Sequence, residues 1–134
     1  MYQVIKMFGD WEPWWFLDDW QDDIIEEQTF EYFEEAVSFY KSEWQSLRMN
    51  LPICKCHDNF QAAFWDQTEK RWCENCGDYL QQYHSLLILK DGQELTKEYF
   101  AYHFNVRDDE PAPDLKIANL NLNHGSFPWF FSFF

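Results

Sequence analysis

The chain has 134 residues, 46% of them hydrophobic, a size and composition that suit one domain with one core. Its 24 carboxylates against 10 Lys and Arg give a formal charge of -14, which argues against duplex DNA or RNA as a partner because phosphate binding needs cations to displace counterions. No apolar run nears the roughly 20 residues that span a bilayer, and no basic-then-apolar leader opens the chain, so a cytoplasmic location away from membranes is expected.

Tyr2, Val4, Lys6 and Phe8 alternate with Gln3, Ile5 and Met7 up to Gly9-Asp10, which predicts a first strand with both faces partly buried. Residues 11–23 (WEPWWFLDDWQDD) keep neither a helical nor a strand period and contain Pro13, so a structured loop follows. That loop lies in the most unusual stretch of the chain. Between Lys6 and Lys41 there are eleven carboxylates and no Lys or Arg, with Trp11, Trp14, Trp15 and Trp20 among them. Asp18, Asp19, Asp22 and Asp23 set like charges four residues apart, a repulsion that a basic partner would relieve. The glycine and alternating ligands of an EF-hand are missing, so a specific calcium loop is not expected. An acidic field with large apolar rings reads as a binding surface, although about half of the rings in this stretch should pack under the sheet.

Ile24 to Thr29 predicts a second strand, placed at a sheet edge by its two acids. Phe30, Phe33, Val37, Tyr40, Trp44 and Leu47 recur at spacings of three and four, the signature of one helical face. The spacing predicts a helix from Phe30 to about Met49, capped by Thr29 and ended by Asn50 and Pro52. Ala62 to Asp66 and Arg71 to Cys73 flank a four-residue polar stretch and suggest a hairpin. Tyr83 to Lys90 (YHSLLILK) reads as a central strand covered on both faces, stopped by Asp91-Gly92. Thr96 starts a short helix reaching Phe104, and 1–106 is taken as the domain. Residues 107–134 form an acidic, Pro-containing linker and an aromatic tail (FPWFFSFF) suited to docking on the domain or to homo-oligomerisation. The expected fold class is α+β: a small single domain with an antiparallel or mixed sheet packed on one long amphipathic helix.

Four cysteines remain. Cys54-Lys-Cys56-His57 and Cys73-Glu-Asn-Cys76-Gly77 approach a two-pair zinc pattern that the intervening hairpin could close, with the CxxCG half the better of the two. The competing reading is four reduced thiols, two of them buried beside Trp72. Cys76 and His84 could form a nucleophile and base, but no third group orients them, and His84 fits better as a hydrogen-bonded structural residue.

MYQVIKMFGDWEPWWF at the start, TFEYFEEAVSFYKSEW in the helix and AFWDQTEKRWCENCGDYLQQYHSLL in the middle together resemble one family. It is the uncharacterised family of small acidic cytosolic proteins of streptococci and lactococci known as domain of unknown function 1033, and the likeness covers about residues 1–92. The resemblance implies no activity, cofactor or catalytic residue. Taken together, the sequence favours a non-enzymatic interaction or regulatory module that binds a basic protein partner through Trp11, Trp14, Trp15, Asp18, Asp19, Trp20, Asp22 and Asp23. The alternatives are a zinc-stabilised module built on Cys54, Cys56, Cys73 and Cys76, and a cysteine-dependent enzyme. No cofactor is expected beyond that structural zinc.

Overall fold

A computed structural model describes residues 1–105; the linker and aromatic tail lie outside them. The fold is mostly antiparallel sheet, with one long helix and one short one. In chain order, β1 is Tyr2–Gly9, β2 Ile24–Phe30, α1 Phe33–Asn50, β3 Ile53–His57, β4 Gln61–Trp65, β5 Lys70–Cys73, β6 Asp78–Gln81, β7 Tyr83–Lys90, β8 Gln93–Glu94 and α2 Lys97–Asn105. The main sheet runs β2-β1-β7-β4-β3, with β8 also pairing to β7. β5 and β6 make a separate two-stranded ribbon.

Strand alternation divides the core in two. Tyr2, Val4, Ala62, Phe64, Leu86 and Ile88 face the helices, where Phe33, Ala36, Val37, Tyr40 and Trp44 of α1 meet Phe60 and Phe100. Ile5, Met7, Leu87 and Leu89 face the other way and are covered by Phe16, Trp20 and Ile24. The unbroken Leu-Leu-Ile-Leu of β7 needs both covers, because successive side chains of a strand point to opposite faces. The loop between β1 and β2 is therefore the second cover of the sheet.

Helix α1 begins at Phe33, three residues later than the periodicity predicts. Phe30 pairs with Tyr2 and Thr29 with Gln3 in the β1–β2 ladder, so the sheet claims both residues and Thr29 is not a cap. Tyr32 occupies the cap position in extended conformation with no side-chain cap bond. The helix stops where expected: the Leu51 N–H donates to the Leu47 carbonyl at 2.9 Å, and Arg48 Nη1 donates to the carbonyls of Leu51 and Pro52 at 3.1 Å each.

The predicted hairpin between residues 62–66 and 71–73 does not form. β4 pairs with β3 on one side and β7 on the other, which leaves it no free edge for β5. β5 turns back instead on β6, with Arg71 opposite Leu80 and Cys73 opposite Asp78. The β3–β4 connection passes through Phe60, whose φ of 60° is unusual for an aromatic residue. Its ring is fully buried, 5.4 Å from Tyr40 and 4.7 Å from Phe100 by ring centroids, so core packing holds that backbone. Asp91-Gly92, both at positive φ, closes the β7–β8 hairpin as such a pair should.

Candidate functional site

The segment from Asp10 to Asp23 crosses the face of the sheet away from α1. Asp10 anchors its start: Arg71 Nε and Gln82 Nε2 donate to Asp10 Oδ1 at 2.7 and 2.8 Å, tying the loop to the β5–β6 ribbon. The Arg71 hydrogen bond holds the Asp10 carboxyl below its ordinary range. At the other end, Asp23 packs over Gly9, where an added Cβ would meet the carboxylate Oδ2 at 2.6 Å. Burial, and then the charges of Asp10, Asp19 and Asp22, push the Asp23 carboxyl up.

Between these anchors the rings divide. Trp14 stacks on His57 with centroids 3.8 Å apart and planes 11° from parallel, and Lys55 Nζ lies 5.6 Å from its centroid. Lys55 and His57 reach it because β3 presents alternate residues to this face while Cys54 and Cys56 point toward α1. Burial, and then the Lys55 charge, lower the His57 pKa. Phe16, at φ 45°, meets Trp20 edge to face at 5.0 Å, and both pack on the Ile5, Met7, Leu87 and Leu89 cluster. Trp11 and Trp15 point outward at 50% and 55% exposure, and Trp15 Nε1 donates to Glu12 Oε1 at 3.3 Å.

A short 3-10 turn over Trp20–Asp23 completes the segment. It is entered by the Trp20 N–H donating to the Leu17 carbonyl at 2.9 Å, and the Asp22 N–H donates to the Asp19 carbonyl at 3.0 Å. Asp18, Asp19 and Asp22 are exposed and Asp23 is half-buried. Of the eight predicted surface residues, Trp11, Trp15, Asp18, Asp19 and Asp22 thus face solvent, whereas Trp14, Trp20 and Asp23 hold the segment to the sheet.

Sequence reasoning missed two neighbours of this surface. Lys6 pairs with Glu26 and Met7 with Ile24, so Ile25 is an extra residue in β2, and the bulge leaves it 64% exposed. A groove of about 370 Å³ also opens beside β2, with Ile5, Trp20, Ile24, Glu27, Leu89 and Asp91 in its lining. The two acids of β2 were a signal for an edge; nothing in the strand's own pattern reveals the groove, because Leu89 and Asp91 come from the far side of the sequence.

The cysteines do not converge. Cys54 and Cys56 are half-buried on β3 of the main sheet, and Cys73 and Cys76 sit at the tip of the β5–β6 ribbon. Among the described residues, no group of three or more His, Cys, Asp or Glu is placed to hold a metal ion. Cys73 and Cys76, expected as reduced thiols, lie at disulfide distance across the turn, their Cα atoms 5.2 Å apart. The expectation that two thiols lie buried beside Trp72 also fails: Trp72 is 46% exposed and stacks edge to face on Tyr79 at the ribbon surface. The Cys76 N–H donates to Cys73 Sγ at 3.2 Å, with Gly77 at φ +66° following it. His84 Nε2 lies 2.7 Å from Glu69 Oε1 and does not pair with Cys76. Cys54 and Cys56 hydrogen-bond to each other, which pushes the Cys54 thiol down to about 7 and the Cys56 thiol up.

The profile of a family described as "Protein of unknown function (DUF1033)" matches residues 1–117. The chain belongs to that family. The DUF1033 match takes in β1 to α2 and extends past the 92 residues that carry the resemblance in the sequence itself. No curated protein and no solved structure matches the chain. No helix among the described residues is long and apolar enough to cross a membrane.

Proposed function

We propose that this protein is a non-enzymatic interaction module whose acidic, tryptophan-bearing surface binds a basic protein partner. The observation that carries this reading is the exposure of Trp11 and Trp15 on the same short segment as solvent-facing Asp18, Asp19 and Asp22. Large half-exposed rings supply anchoring area, and the carboxylates steer a cationic surface toward them. Rings needed only for the core would be buried, as Trp44 is. The zinc-stabilised alternative needs all four cysteines to meet, and the placement of the two pairs on separate sheets weighs against it.

The test is surface plasmon resonance with an immobilised ten-residue Lys/Arg peptide as the probe. Binding weakens steeply between about 50 mM and about 300 mM salt, because the Debye length falls toward contact distance. Changing the solvent-facing Asp18, Asp19 and Asp22 together to Asn slows the on-rate more than it speeds the off-rate. Salt-insensitive binding that survives all three changes would move the interface elsewhere.

A further inference from the structure

The tip of the β5–β6 ribbon carries two sulfurs that neither core uses. No residue from Lys70 to Gln81 belongs to either buried cluster. The ribbon is fastened at its base instead, where Arg71 Nε donates to Asp10 Oδ1 at 2.7 Å and the Gln82 N–H to the Glu69 carbonyl at 3.0 Å. Above that base the strands hold through their ladder and the Trp72–Tyr79 pair, with ring centroids 5.0 Å apart. At the tip the Gly77 N–H donates to the Cys73 carbonyl at 2.9 Å, and Gly77, at φ +66° with nothing within 4 Å of a Cβ built there, lets the chain turn. Main-chain bonds thus set the 5.2 Å Cα separation of Cys73 and Cys76. A cross-link between residues three apart adds little to stability, because it closes so short a loop. The pair is therefore not needed as a staple, and its place on an exposed tip leaves it open to chemistry.

We propose that Cys73 and Cys76 form a reversible thiol–disulfide exchange site for a small cationic thiol of the aminothiol class. The two sulfurs are not equivalent. Cys76 is exposed and Cys73 half-buried. The Cys76 N–H donates to Cys73 Sγ at 3.2 Å, a bond that strengthens when that sulfur becomes an anion. An incoming thiolate therefore attacks Cys76 Sγ: a new S–S bond forms there, the Cys73–Cys76 bond breaks, and the electron pair leaves on Cys73 Sγ, which takes up a proton that the small thiol gave to water. A second thiolate attacks the small molecule's sulfur in the mixed disulfide and releases Cys76 as a thiolate, protonated in turn. Two small thiols are oxidised to one small disulfide and the protein disulfide is reduced to two thiols; an excess of small disulfide drives the same steps backwards. The preferred charge follows from the surroundings. Residues 72–79 hold Glu74 and Asp78, both exposed, and no Lys or Arg. Two carboxylates beside the sulfurs repel an anionic thiol and attract one that bears an ammonium group.

The experiment equilibrates the full chain with cysteamine and cystamine in ratios from fully reducing to fully oxidising, quenches in acid, alkylates and maps the peptides by mass. Cys73 and Cys76 pass together between the doubly alkylated and the unalkylated form, at the same ratio from either side, while far-UV circular dichroism stays unchanged. With 2-mercaptoethanesulfonate in place of cysteamine, reduction is slower than the two thiols' relative rates on a neutral model disulfide predict, and added salt removes the difference. Cys73→Ser leaves a Cys76 that forms a mixed disulfide with cystamine several-fold faster than the Cys73 left by Cys76→Ser. A pair that stays alkylatable at every ratio, or one that resists reduction until the circular dichroism is lost, would overturn the exchange site. Faster reaction of Cys73 would overturn the order of attack, and equal corrected rates for the two thiols would overturn the preference for a cation.

Discussion

Replacing Val37 with Asp tests whether α1 is the cover of the sheet. Val37 is 2% exposed, in one cluster with Val4, Tyr40, Trp44 and Ile88. Removing its side chain from that environment forfeits about 1.5–3 kcal/mol of apolar burial. A carboxyl group placed there without a partner adds at least about 1–3 kcal/mol, the penalty measured for unsatisfied polar groups. The sum, about 2.5–6 kcal/mol, is a large part of the total stability of a small domain, about 5–15 kcal/mol. The new carboxyl also makes the loss depend on pH. Burial raises its folded-state pKa above the unfolded value, so the folded state binds the proton more readily and the defect grows as pH rises between the two values. Urea denaturation at about pH 4.5 and about pH 8 therefore shows a larger loss at the higher pH, and Val37→Asn, which cannot ionise, shows no such difference. A Val37→Asp midpoint within error of the parent at both pH values would refute the packing of this helix face.

Two further outcomes follow from the loop and the ribbon. Arg71→Gln removes the first partner of Asp10, so the Asp10 carboxyl titrates closer to the ordinary range, read by carbon NMR of its side chain. The sign is that of a depressed carboxylate: the clamp's stabilisation is present above the unfolded pKa and is lost as pH falls through the folded one, so an unchanged titration midpoint would break the assignment. In protein kept from reductants, alkylation with mass detection modifies Cys54 and Cys56 alone, and reduction exposes Cys73 and Cys76 as a pair; four thiols modified before reduction would contradict the ribbon-tip disulfide.

The elements legible in the sequence were those in which local pattern and tertiary demand agree. The spacing of Phe33, Val37, Tyr40 and Trp44 marked the buried face of α1, and the apolar run from Leu86 to Leu89 marked a strand covered on both sides. Phe30 shows where such reasoning stops. Its spacing continues the helical stripe, yet its pairing with Tyr2 across the sheet decides its conformation. β3 went unread because its pattern is short, with Cys54 and Cys56 as its inward residues, and β5 was matched to β4 because adjacency along the chain is only a guide to pairing. At the surface, sequence located the acidic rings but could not separate the gripping ones from the outward ones. That separation depends on His57 and Lys55, contributed by a strand more than thirty residues downstream.

The bulged, glutamate-bearing margin of β2 has a consequence for how copies of this chain behave in a crowded solution. Among the described residues β2 has no outer neighbour, and a row of unpaired backbone donors and acceptors invites any passing strand, including the same strand of another molecule. Two such margins approaching each other would bring Glu27 of both molecules together, and the protruding Ile25 interrupts the regular ladder they would need. Self-pairing is thus penalised twice, by like charge and by broken periodicity. A cationic strand would meet only the second of these obstacles.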